Sequence, residues 1–244
     1  MQKYKKDGDV SYALGTELTL ELVERHPEKV ISVYVHSRQH DNEVYRRISE
    51  LCRQRHIEVI SSDKAFNIVG AKENCYIMGM FRKFHQEIDP RQNHVVLVNP
   101  SNMGNLGTII RTIIGFGIND LAIITPAVDI FDPKVIRATM RAFFLLRFSL
   151  FASFEDYEKA AGKRTLYPFM LDRQAVTLDE VEKKEPYSLI FGNEATGLPE
   201  TFAGIGTPVF IRQLDTVDSL NLCNAVSIAA YEFTKEQLKN GKED

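Results

Sequence analysis

Residues 95–117 do most to limit what this chain can fold into. They pass from an unbroken apolar stretch, Val95-Val-Leu-Val98, through the polar turn Asn99-Pro-Ser-Asn-Met-Gly-Asn105 into an amphipathic run carrying Ile109, Ile110 and Ile113. A short apolar run with no polar alternation fits a strand covered on both faces, the usual condition of a parallel sheet. Pro100, Gly104 and Gly107 shape the turn, and Asn102 and Asn105 are candidate caps for the helix that follows. Arg111 falls early in that helix. Open α/β sheets bind ligands where a strand ends and a helix starts, because unpaired amides and polar side chains meet there.

The pattern recurs. Apolar segments at 95–98, 121–124, around 150, 166–170, 188–191 and 209–211 alternate with helix-like runs at 104–116, 132–144, 154–160 and 220–238. The spacing predicts an α/β domain built on a parallel sheet with helices on both faces. Residues 12–84 alternate on a smaller scale, with helices expected at 14–25 and 43–55 and strands at 30–35, 57–60 and 76–81. Between them lies a polar, proline-interrupted stretch, 85–93, without apolar periodicity. The expected organisation is an N-terminal α/β module at 1–84, a linker at 85–93 and a larger domain at 94–244. A piece beginning near Gln92 is expected to fold alone.

Charge narrows the partners. The 244 residues carry a formal net charge of −3, and residues 1–93 hold 15 Lys and Arg against 14 Asp and Glu. Bulk attraction to a polyanion is excluded, so any nucleic-acid contact must be local. Cys52, Cys75 and Cys223 are odd in number and widely spaced, which predicts free thiols, neither a disulfide framework nor a zinc knuckle. Residues 1–10 lack the apolar core of a signal peptide, and no stretch has the apolar length of a membrane span. A cytoplasmic protein without membrane attachment is expected.

His36 and His40, four apart, follow a strand and lack a third ligand, so they are read as surface histidines and no metal site is expected. No acidic residue lies between Asp132 and Glu155, while Lys134, Arg137 and Arg141 recur at helical spacing, a possible basic face for phosphates. Phe143, Phe144, Phe148 and Phe151 are read as core. The dinucleotide and P-loop glycine fingerprints are absent, which sets aside a nicotinamide-dependent oxidoreductase.

Two later stretches share the character of the first turn. Residues 188–199 run from Ser-Leu-Ile-Phe into a glycine-flanked loop with one carboxylate, Glu194. Residues 209–225 run from Val-Phe-Ile through a polar loop into a helix that Asp218 or Ser219 can cap. Three polar exits from three strands are read as one site.

Together these stretches resemble the signature motifs of the SpoU/TrmH family of RNA ribose 2′-O-methyltransferases, of the SPOUT class. Residues 99–112 meet N-P-x-N-x-G-N-x-G-x-I-x-R-T, residues 191–198 meet F-G-x-E-x-x-G-L, and residues 219–225 meet S-L-N-L-x-N-A. The resemblance covers 94–244, and the N-terminal module is similar, less specifically, to an L30e-like substrate-binding domain. It implies a trefoil knot near the C-terminus, an exception to the rule against knots, and a homodimer packed through that knot. It implies S-adenosylmethionine as cofactor, held around Gly192, Asn193, Glu194, Gly197, Ile211, Leu214, Ser219 and Leu220. Arg111, Asn105, Glu194, Ser219 and Asn221 match the catalytic set.

Arg111 would hold phosphate and stabilise oxyanion charge, since guanidinium groups release protons too reluctantly to serve easily as bases. Glu194 would orient Arg111 or the substrate. The implied substrate is RNA, ribosomal in preference to transfer RNA; the alternatives are a tRNA enzyme or a knotted RNA-binding protein without turnover. The sequence departs from the family pattern at Arg137-Ala-Thr-Met-Arg141 and at Arg212-Gln-Leu-Asp215.

Overall fold

A computed structural model describes residues 1–172 and 174–240. In chain order the first elements are β1 (Val10–Leu14), α1 (Thr16–Arg25), β2 (Val30–Val35), α2 (Glu43–Gln54), β3 (Glu58–Ser61), α3 (Asp63–Val69) and β4 (Ile77–Arg82). Next come β5 (His94–Val98), α4 (Met103–Gly115), β6 (Asp120–Ile124), α5 (Pro133–Ala138), β7 (Arg147–Phe151) and α6 (Phe154–Ala161). The last are β8 (Thr165–Pro168), β9 (Val176–Thr177), β10 (Tyr187–Phe191), β11 (Val209–Phe210) and α7 (Leu222–Asn240). Contacts divide the chain into two compact units, Met1–Phe84 with Asp129–Phe144, and His85–Val128 with Leu145–Asp244.

In the first unit the strand order is β1-β4-β2-β3, with β4 antiparallel to both neighbours and β2 parallel to β3. Side chains alternate across the pleat. Met78 joins Tyr12, Tyr34 and Phe66 in one cluster, while Ile77 joins Val23, Val33, Ile48 and Leu51 in another. Segment 129–144 completes the unit. The Ser11 hydroxyl donates to the Phe131 carbonyl (2.5 Å), and the rings of Phe131, Phe143 and Phe144 pack among those of Phe81 and Phe84.

Several sequence expectations change here. The helix expected over 132–144 stops at Ala138, because Thr139 Oγ1 donates to the Ile136 carbonyl and accepts from the Phe143 amide, and Met140 turns to φ +58°. Arg141 therefore leaves the expected stripe and pairs with the buried Glu21 and with Glu17. The division expected at 84–94 is also amended. Residues 129–144 belong with the first unit, and 85–93 is packed instead of free: Ile88 is buried, its amide donates to Ser149 Oγ (3.2 Å), and the Asp89 amide donates to Asp120 (2.9 Å). Strand β1 ends where the first helix was expected to begin, and α3 is an element the sequence pattern does not predict. Phe143, Phe144 and Phe148 are core as expected.

The second unit carries a five-stranded sheet in the order β7-β6-β5-β10-β8, all parallel, as the alternation predicts, and a parallel pair of β9 with β11. Val96, Val98, Ala122, Ile124 and Ile190 pack with Tyr157 and Ala161 of α6, which leaves the intervening residues of β5, β6 and β10 to the opposite face. At the starts of the strands lies a buried polar layer. His94 Nδ1 is 2.9 Å from the Tyr157 hydroxyl, which is 2.5 Å from Ser188 Oγ, and Asp120 pairs with Arg147. Burial pushes the His94 imidazole down to about 4, so it is neutral near pH 7.

Candidate functional site

The opposite ends of the strands carry the three polar loops. β5 ends at Val98, and the chain turns through Asn99 at φ +53° into α4. Asn102 caps that helix, its side-chain oxygen accepting from the Gly104 (2.8 Å) and Asn105 (3.0 Å) amides. Asn105, the other expected cap, does something else. Its Nδ2 donates to Glu194 Oε1 (3.2 Å), and its Oδ1 lies 3.4 Å from the Cys223 sulfur, which donates.

Glu194, in the loop after β10, accepts four hydrogen bonds from the first turn. They come from the Ser101 amide (2.9 Å) and hydroxyl (2.7 Å), the Asn102 amide (3.1 Å) and the Asn105 side chain. Burial pushes this carboxyl upward, but the bonds from Ser101 and Asn105 outweigh it and hold the group below the usual carboxylate range. The resemblance implies that Glu194 orients Arg111 or the substrate. Instead its oxygens are spent on the 101–105 turn, and it acts as a latch between two loops.

The β10 loop folds tightly on itself. The Asn193 amide donates to the Gly197 carbonyl, the Gly197 amide to the Asn193 carbonyl, and Asn193 Nδ2 to the Asn99 carbonyl (2.7 Å). A Cβ on Gly192 would stand 2.0 Å from the Gly197 carbonyl carbon, and Gly197 itself lies at φ +67°. A Cβ does not fit at Gly192, and the left-handed backbone at Gly197 favours glycine. In the third loop Asn221, not Asp218 or Ser219, begins α7: its side chain accepts from the Cys223 amide (2.8 Å) and its carbonyl from the Ala225 amide.

The second and third of these loops line a cavity of about 210 Å³. Gly192, Asn193, Glu194, Gly197, Ile211, Ser219 and Leu220 line it, seven of the eight residues assigned to the cofactor from sequence. Leu214 is the exception. It is not among the lining residues and is 77% exposed, and the neighbouring Gln213 lines the cavity instead. Sequence reasoning missed Phe169, Met170 and Leu171, which follow β8, and Phe169 stacks on Phe191 with centroids 4.5 Å apart. The same strand-end rule applied to β8 finds them.

Of the catalytic set, Asn105 and Glu194 are joined, Ser219 lines the cavity and Asn221 caps α7. Arg111 is exposed on α4, and among the described residues no hydrogen bond or ion pair engages it. Among the described residues no group of three or more His, Cys, Asp or Glu side chains could hold a metal ion, and no helix is long and apolar enough to cross a membrane. His36 is more covered than expected, its ring edge-on to Phe66 and Tyr76.

The sequence model of the SpoU rRNA Methylase family matches residues 92–231. The chain belongs to this family. Among similar proteins, an uncharacterised tRNA/rRNA methyltransferase of Synechocystis is 32% identical over 145 residues, 59% of this chain and 53% of that protein. The chain thus spans about half the length of that relative. A Listeria innocua protein provisionally named a tRNA (cytidine(34)-2′-O)-methyltransferase is 31% identical over 150 residues, 59% of this chain and 88% of that one. In structure, this SpoU chain is similar to an S-adenosylmethionine-bound rRNA methyltransferase of Sinorhizobium meliloti, with a TM-score of 0.78 and 25% identity, covering 93% of this chain and 88% of that one.

Proposed function

We propose that this protein is an S-adenosylmethionine-dependent RNA ribose 2′-O-methyltransferase of the cytoplasm. The observation that carries the reading is the Glu194 latch, which ties the first-motif turn to the loop after β10, a loop that lines one cavity together with residues of the third motif, while Arg111 is left exposed. The lining fits a nucleoside cofactor. Ile211, Leu220 and Leu222 offer apolar walls, backbone at Gly192 and Gly197 comes close without side chains, and the one carboxylate present is already occupied. When bound, S-adenosylmethionine supplies an electrophilic methyl group.

The protein's own task is then mainly alignment. Asn105, held by Glu194 and Cys223, fixes the start of α4, and Asn221 fixes the start of α7. Arg111 offers a planar fork that can grip an RNA phosphate and place a ribose hydroxyl. Ribosomal RNA is the favoured substrate, because in structure the Sinorhizobium rRNA enzyme covers 93% of the chain while a protein solved for 2-OH methylation of C/U34 on tRNA covers 62% of it. We read the first unit as the RNA selector. We read the chain after β10 as the threaded part of a trefoil knot and α7 as part of a homodimer interface, in keeping with the exposure of Ile228 and Tyr231 on that helix.

The test is methyl transfer and cofactor binding measured side by side. Arg111→Ala should abolish transfer and leave the calorimetric binding of S-adenosylmethionine nearly intact, with Arg111→Lys rescuing poorly because it loses the fork. Folded wild-type protein that gives no heat with the cofactor removes the methyltransferase reading; full turnover by Arg111→Ala removes that residue from the mechanism.

A further inference from the structure

The first unit holds more than neutral surface. We propose that Lys3, Lys5, Lys6, Arg82, Lys134 and Arg137 form one phosphate-binding face for RNA along the β1 edge of this unit, an inference that rests on the RNA-directed reading above.

Three stretches distant in sequence meet there. Lys83 Nζ donates to the carbonyls of Lys6 (2.6 Å) and Lys5 (3.4 Å), pairs with Asp129 (3.4 Å) and sits 4.7 Å over the Tyr4 ring. The Tyr4 hydroxyl donates to the same Asp129 carboxylate. Residues 4–6 are thereby tied beside Asp129. Arg82 pairs with Val10, and the Lys83 amide donates to the Asp9 carbonyl, so Arg82 stands where β1 begins. From Asp129 the segment runs along β1, through the Ser11 contact at Phe131 and into α5, which packs on that strand.

The charge balance of the face is one-sided. Asp129 is engaged by Tyr4 and Lys83, and Asp132 caps α5 through the Lys134 amide. Asp7 and Asp9 remain as exposed acids on the adjoining stretch. Lys3, Lys5, Lys6, Arg82 and Lys134 are exposed, Arg137 is half-buried, and none of the six makes an ion pair among the described residues. Arg141 is excluded from the face, since Glu17 and Glu21 hold it. Unpaired ammonium groups on a chain of net charge −3 suit contacts made phosphate by phosphate, with affinity that falls as salt rises.

The experiment uses the full chain with Lys3→Gln, Lys5→Gln, Lys6→Gln, Lys134→Gln and Arg137→Gln combined. Fluorescence anisotropy with a labelled mixed-sequence RNA stem-loop of about 30 nucleotides is followed across a salt series, and each cation removed from a phosphate should flatten the log–log slope by roughly 0.7–0.9. The combined variant should lose up to about 3.5–4.5 in slope, if each of the five meets a phosphate, and at least roughly tenfold in affinity near 0.1 M salt. Its calorimetric binding of S-adenosylmethionine and its circular dichroism should match wild type.

Lys3→Arg, Lys5→Arg, Lys6→Arg and Lys134→Arg combined, which keep the charges, should bind as wild type does. Lys159→Gln with Lys239→Gln, which removes lysines already paired with Asp156 and Glu236, should leave it unchanged. Wild-type slope and affinity in the combined variant overturn the face and leave the methyltransferase reading standing. A wild-type chain that binds no RNA at low salt overturns both. Polyglutamate bound as tightly as RNA assigns the face to an acidic protein and overturns the inference.

Discussion

Removing residues 1–84 should not release a well-behaved C-terminal domain, although the motifs all lie after that point. The reason is segment 129–144, which remains in the truncated chain but packs with the part that is gone. Ile130, Phe131, Val135, Ile136, Phe143 and Phe144 are each at most 5% exposed in the full chain. Six such side chains at about 1.5–3 kcal/mol each represent roughly 9–18 kcal/mol of burial, an upper bound because unfolded chains are partly compact. Losing even half would match much of the roughly 5–15 kcal/mol net stability of a typical protein.

A chain beginning near Gln92 should therefore bind the dye ANS, elute as aggregates in size exclusion and melt well below the full protein. Replacing 129–144 in that chain by a flexible Gly-Ser linker should remove the dye signal and restore a single species. If the simple truncation is monodisperse, silent to ANS and melts with the full chain, residues 1–84 do not cover the segment and the reasoning fails.

Glu194→Gln keeps the size of the latch but sets an amide NH₂ against donors at Ser101, Asn102 and Asn105; it should cost about 1–3 kcal/mol in thermal or urea unfolding and slow methyl transfer more than it weakens cofactor binding. Gly192→Ala should abolish calorimetric cofactor binding even where the protein still folds, because its Cβ would collide with the Gly197 backbone; retained affinity would show that the loop can open. The buried His94, pushed down to about 4, binds protons less readily folded than unfolded, so stability should be full above about pH 6.5 and fall by about 3 kcal/mol as pH drops to 4. His94→Gln should flatten that slope in urea titrations at pH 7 and pH 4.5.

Legibility in the sequence followed the range of the interaction. The parallel sheet of the second unit was readable because each strand is a local apolar run, and the site was readable because its loops leave those strands. The helix expected over 132–144 was wrong because a left-handed methionine ended it, and Met140 has none of the usual chemistry of a helix stop. α3 has seven residues, too few for a period to emerge. That 129–144 packs against Phe81 and Phe84 depends on residues some fifty positions apart, which local periodicity does not record. Leu214 was assigned from motif resemblance, yet the loop turns Gln213 inward instead, its amide donating to the Val217 and Asp218 carbonyls.

The same distinction separates the roles within the site. A motif match names which residues occur together and does not say which act on substrate and which act on one another. Glu194, with both oxygens committed to residues some ninety positions away, has no free acceptor position evident for a ribose proton, so its charge is used in building the site. Asn105 is likewise engaged on both ends of its amide, and Asn221 on its side chain and carbonyl. Arg111 differs. Its side chain is exposed and engaged by nothing among the described residues, the arrangement expected of a group whose partner arrives with the substrate. Loss of the latch should therefore disturb everything the loops hold, whereas loss of Arg111 should disturb transfer alone, and the contrast between the two variants separates the building of the site from its use.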